Sequence, residues 1–224
     1  MAPAGSDGRG LAGRAARIAL AARAAGAAVE LVGAVGDDPD GDQVIVRLGR
    51  AGIGHAAVLR DPAARTPIGE GGAEAAGDTP VAEPSGAPRP RLEPADISLG
   101  LSYVTECRVL VIAEPLPAEA LAVAAEAAAY HGAAIVAIVK EGSRAADGLP
   151  ADATLLEAPS EEPSDAPSVL EATDDDQAAA DAVARSETFD RLVAQYAVAL
   201  DRGEDPGRAF HAASGAAGWE AVRS

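Results

Sequence analysis

Two adjacent carboxylates, Asp37 and Asp38, stand in a run of small residues, Val32-Gly33-Ala34-Val35-Gly36-Asp37-Asp38-Pro39-Asp40-Gly41, the stretch of the chain best suited to chemistry. Glycines let a backbone come close to a bound molecule, and carboxylates accept hydrogen bonds from its hydroxyl groups. Val29, Leu31 and Val32 read as a buried strand, Val44, Ile45 and Leu48 as the inner side of a helix, and residues 56–59 as a second strand. The Gly- and Asp-rich turn, with Gly33, Gly36 and Gly41, is thereby expected at the C-terminal end of a strand, where ligands sit in open α/β sheets. A plain strand-to-helix connection would have the same composition.

Other residues of suitable type are scattered. Glu161 and Glu162 are an adjacent acidic pair able to draw a divalent cation, although one pair holds Mg²⁺ weakly and a solvated acidic loop is the simpler reading. His55, His131 and His211 lack metal-ligand spacing and read as surface or cap residues. Asp174, Asp175 and Asp176 follow Thr173 ahead of an Ala-rich run, where acids complement a helix N-terminus. Cys107, the single cysteine, excludes an internal disulfide and reads as a small buried hydrophobe; Trp219 reads as a core or interface anchor. Residues 8–13 match GxGxxG, but no strand delivers the chain to them, and the phosphate-binding pattern GxxxxGK[ST] is absent.

The elements that must position these residues alternate. A helix with Leu11, Ala15, Ile18, Ala22 and Ala25 on one face and Gly26 at its end precedes the first strand. Gly, Pro, Ser and Glu dominate residues 69–94, which are expected to form a flexible lid or surface loop. Strands are then expected at 109–113, 134–139 and 153–157, with a helix at 117–131 capped by Gly132. Such alternation implies a parallel sheet with helices on both faces, a three-layer αβα arrangement in which residues 29–32, 109–113 and 134–139 share one sheet and residues 1–224 form a single domain. Apolar or small residues recur at 179, 182, 186, 189, 193, 196 and 200, without Gly or Pro between 174 and 202. This predicts one unbroken helix from near Asp174 to about Arg202, capped by Gly203.

Three blocks, in this order, resemble the ribokinase-like (PfkB) carbohydrate kinases: Ala12-Gly13-Arg14-Ala15-Ala16-Arg17, then residues 32–41, then Asp61-Pro62-Ala63-Ala64-Arg65-Thr66. The tail from Leu192 onward is similar to that family's C-terminal helices. The resemblance implies a ribokinase-like, Rossmann-like α/β fold and a kinase that uses ATP and Mg²⁺ on a sugar or nucleoside. It implies substrate-binding roles for Gly13, Arg17, Gly36, Asp37, Asp38 and Gly41, contact with the nucleotide at Glu187, Thr188 and Phe189, and metal orientation by Glu161. Asp190 would be the catalytic base at a helix N-terminus.

The sequence departs from that family pattern where the chemistry is done. The family's GAGD anion hole corresponds to Glu187-Thr188-Phe189-Asp190, which keeps the aspartate and loses the glycines. Ser160 and Pro163 replace the asparagine and glutamate of the metal-orienting segment, and Arg17 and Pro88 stand where the family has asparagines. The span between Pro163 and Asp190 has room for one helix but not for the strands that carry the nucleotide. The expectation is a truncated, catalytically degenerate member with a reduced lid, a pseudokinase retained to bind a sugar-like small molecule or a protein partner, a homodimer included. The alternative is a working ATP-dependent sugar or nucleoside kinase with Asp190 as general base.

Composition narrows the partners. The chain has 224 residues, 48% of them hydrophobic and only 3% aromatic, so an expected single core must pack Ala, Val, Leu and Ile. A net charge of -17 repels phosphates and argues against nucleic acid or an anionic membrane as partner. The arginines at 9, 14, 17 and 23 interrupt any secretory core, and a single cysteine fits a reducing cytoplasmic location.

Overall fold

The structure, a computed structural model, describes residues 13–67, 88–140, 148–159 and 172–219, with the backbone alone for residues 172–180. In chain order the elements are α1 (Arg14–Ala24), β1 (Glu30–Gly36), α2 (Pro39–Arg50), β2 (Gly54–Asp61), α3 (Pro94–Ser102) and β3 (Val109–Ile112). They continue with α4 (Ala118–His131), β4 (Ala134–Lys140), β5 (Thr154–Ala158), α5 (Ala172–Asp201) and α6 (Pro206–Ala217). Every strand pairing among the described residues is parallel, as crossover connections between successive strands require.

The two-residue period of a strand sorts the core into two sides. In β4, Val136 and Ile138 join Phe189, Leu192 and Val193 of α5, while Ile135 and Ala137 join Leu121 and Ala124 of α4. β3 divides likewise, with Val109 and Val111 toward α5, and Leu110 and Ile112 toward α4. Both faces are covered, which is why these strands are apolar throughout rather than alternating. The layers are therefore α1, α2, α5 and α6 on one side, the strands in the middle, and α3 and α4 on the other. The domain is α/β with parallel sheets flanked by helices, the expected three-layer class.

The expected single sheet is instead two. Among the described residues β1 ladders with β2 alone, and β3-β4-β5 form a separate three-stranded sheet. Helices couple them: Ala16 and Ala19 of α1 pack with Leu48 and Ile53 against the first sheet, whereas Ile18 and Ala22 of the same helix belong to the core over the second. Apolar patterning encodes which faces are buried and leaves open which strand edges bond, so shared helices satisfy the pattern without a continuous ladder.

Two points along the chain also differ from expectation, the end of β1 and the presence of α3. β1 continues through Gly33 and Gly36, which pair with Val58 and Asp61; the pairing strand overrides the weak strand preference of glycine. Only residues 88–94 of the expected lid are described, and there Arg65 donates its backbone N–H to the Pro88 carbonyl at 3.0 Å. Helix α3 was not expected at all, although Pro94 at its start, a reciprocal Glu93/Asp96 capping box, and buried Ile97 and Leu101 signal it. α5, by contrast, runs unbroken through residues 187–190 as predicted, and Gly203 at φ 81° follows its end. No helix among the described residues is long and apolar enough to cross a membrane.

Candidate functional site

Gly13 opens α1 at φ 106°, a backbone conformation open to glycine, and the helix then presents Arg14 and Arg17, one turn apart, to α5. Both reach Asp190. Arg17 Nε lies 2.6 Å from Oδ2 and Arg14 Nε 3.2 Å from Oδ1, and the carboxylate is only 2% exposed. Arg17 also donates to Ser186 Oγ at 3.4 Å, one turn before Asp190 on the same helix. The Arg14 guanidinium stands over the Phe189 ring, 5.8 Å from its centroid, and that ring packs on Trp219 at 5.5 Å. Burial pushes the Asp190 carboxyl above its ordinary range, and the two guanidinium groups pull it only part of the way back.

A second cluster forms around the carboxylate pair. Asp38 caps α2: its Oδ1 accepts from the backbone N–H of Gly41 at 2.8 Å and its Oδ2 from that of Thr66 at 2.8 Å. Thr66 Oγ1 in turn accepts from the backbone N–H of Gly36 at 2.9 Å. A side chain at Gly41 would begin 2.3 Å from the Gly36 carbonyl oxygen, and one at Gly36 would begin 2.7 Å from both Ala64 O and Thr66 N. Both glycines are thus demanded by backbone packed on backbone. Burial alone would raise the Asp38 carboxyl, but the Thr66 and Gly41 hydrogen bonds outweigh it and hold it below the usual carboxylate range. Asp37 is exposed and pairs with Arg60.

The expected site residues therefore fall into two groups. Gly13, Arg17, Phe189 and Asp190 meet where α1 crosses α5, while Gly36, Asp38 and Gly41 meet Thr66 at the C-terminal end of β1. Arg14, Ser186 and Thr66 were not singled out from the sequence. The i, i+3 spacing of Arg14 and Arg17 is the signal for the first; Thr66 lay in a recognised block without an assigned role. Cys107 is half-buried rather than buried, its thiol pushed up by burial.

The region expected to correspond to an anion hole does not have the form that one requires. Residues 187–190 lie inside α5, so by α-helical register their N–H groups already serve carbonyls four residues earlier, and no helix N-terminus points at a ligand. Thr188 spends its hydroxyl on the Ala184 carbonyl at 2.8 Å, Phe189 is buried and Glu187 is exposed. Those residues do not fit a nucleotide phosphate. Glu161 lies outside the described residues, and among the described residues no group of three His, Cys, Asp or Glu side chains could hold a metal ion.

No curated protein matches the chain. The sequence model of the pfkB family carbohydrate kinase matches residues 3–184.

Proposed function

The chain belongs to the pfkB family of carbohydrate kinases, and from that premise we propose that it is a catalytically degenerate member, retained for binding a small ligand or a protein partner rather than for phosphoryl transfer. The observation that carries this reading is the capture of Asp190 by Arg14 and Arg17 in the middle of an unbroken α5. Kinases of this family use ATP and Mg²⁺, and phosphoryl transfer rests on positioned donors and cations around the phosphates. Loss of one oxyanion donor typically costs about 10² to 10³ in rate, and here the whole set of backbone donors at residues 187–190 is committed to the helix. A base whose two oxygens face guanidinium groups is also unable to take a proton from a sugar hydroxyl without first leaving them.

A kinase assay across pentoses, hexoses and nucleosides with ATP and Mg²⁺, run beside Asp190→Asn with folding checked by circular dichroism, tests the reading. No turnover above background is expected from either protein. ADP formation by the parent chain that depends on the acceptor and disappears in a folded Asp190→Asn variant restores the working kinase.

A further inference from the structure

We propose that the crevice at the C-terminal ends of β3 and β4 binds a small aliphatic zwitterion, a free amino acid with a branched hydrocarbon side chain. The proposal deepens the degenerate-kinase reading by naming the ligand class of a retained binding function. The crevice holds about 230 Å³. Its walls are Ile112 from β3, Leu116 and Leu121 at the start of α4, and Leu149; its mouth carries Glu114 and Lys140. It opens on the α4 side of the sheet, whereas Asp190 lies between α1 and α5, so the two sites do not overlap.

Size and chemistry decide the ligand class. A drug-sized molecule needs about 300 Å³ or more, so a nucleotide is too large for this space. A sugar would fit, but most of its hydroxyl groups would lose water against a lining that is mainly aliphatic, whereas a branched hydrocarbon gains from the same transfer. At the mouth one carboxylate and one ammonium stand on the ends of successive strands, both exposed, and neither enters an ion pair among the described residues. Glu114 suits an α-amino group and Lys140 an α-carboxylate, so a zwitterion answers both charges while its side chain enters the crevice. The wall is held in place. Gly148, at φ 106°, sits so close to α4 that a side chain there would begin 2.9 Å from the Ala118 carbonyl oxygen, which fixes Leu149 over the crevice.

Titration calorimetry of the full chain with L-leucine, 4-methylpentanoate, 3-methylbutylamine and D-ribose tests this. Leucine is expected to bind, with each of the two analogues weaker by about fivefold, the range of an exposed ion pair. Lys140→Met should weaken leucine and spare the amine; Glu114→Gln should weaken leucine and spare the carboxylate. Both changes lie on exposed side chains, and matching thermal melts confirm that the variants are folded. Absence of leucine binding, equal binding by all three aliphatic probes, binding unchanged in both variants, or displacement of leucine by ribose each overturns the proposal. Acceptor-dependent ADP formation would sink the degenerate-kinase reading without touching this titration, so the two failures are distinguishable.

Discussion

Arg17 Nε and Asp190 Oδ2 stand 2.6 Å apart, joining the start of α1 to the middle of α5 across almost the full described chain. With Arg14 on the other oxygen, the carboxylate is the meeting point of an N-terminal and a C-terminal helix. The residue that the sequence resemblance marks as a proton-abstracting base here ties two distant helices together.

Arg17→Leu is therefore expected to lower stability by about 3 kcal/mol, because it strips a guanidinium from a carboxylate that stays buried. A carboxylate indifferent to its partners would give little change. The combined Arg14→Met, Arg17→Leu, Asp190→Leu variant should recover most of the loss, since a packed apolar trio avoids the cost of burying charge. Urea denaturation of both variants measures the difference; a fully stable Arg17→Leu would show that the clamp contributes nothing.

The two buried aspartates should have opposite pH signatures. Asp38 has a folded pKa below its ordinary value of 3.8, so its contribution is complete above that value and is lost as pH falls through the lower folded one. Asp190 is shifted upward from 3.8, so the folded state holds the extra proton and stability declines as pH rises through the window just above that value. Thermal melts of Asp38→Asn and Asp190→Asn against the parent chain read this out. The deficit of Asp38→Asn should shrink with acidification below 3.8. Asp190→Asn should instead gain on the parent chain as pH rises through its window, because the amide mimics the protonated carboxyl and does not titrate.

Gly41→Ala should destabilise, against the usual sign. Replacing a glycine inside a helix by alanine normally gains about 1 kcal/mol. At this position the new methyl would begin 2.3 Å from the Gly36 carbonyl oxygen, a backbone atom held by the β1 ladder and by Thr66. Overpacking of that kind costs about 1–3 kcal/mol, so a net loss is expected. A denaturation midpoint equal to or above that of the parent would show that the α2 start can shift to make room.

Much of the candidate site was legible because it is local. The Gly- and Asp-rich stretch announced a turn between a strand and a helix, although the strand runs on to Gly36 and the cap, Asp38 on Gly41, came from the structure. The long apolar period without Gly or Pro announced α5, and the missing glycines at 187–189 announced that no anion hole would interrupt it. Helix α3 was missed because the surrounding Pro- and Gly-rich composition outweighed a short capping signal at Glu93 and Asp96.

The sequence by itself determined where the strands and helices other than α3 lie, that the strands of the second sheet are covered on both faces, and that α5 runs on through the glycine-free residues 187–190, because each follows from period, capping and side-chain type along a few neighbouring positions. Tertiary structure alone decided three things: that the strands ladder as two sheets held by shared helices, that Thr66 reaches back to lock Asp38 and Gly36, and that Asp190 meets Arg14 and Arg17. Each of these joins segments distant in the chain, and the partner of a carboxylate or a strand edge is set by where folding brings the far segment, which no local pattern encodes.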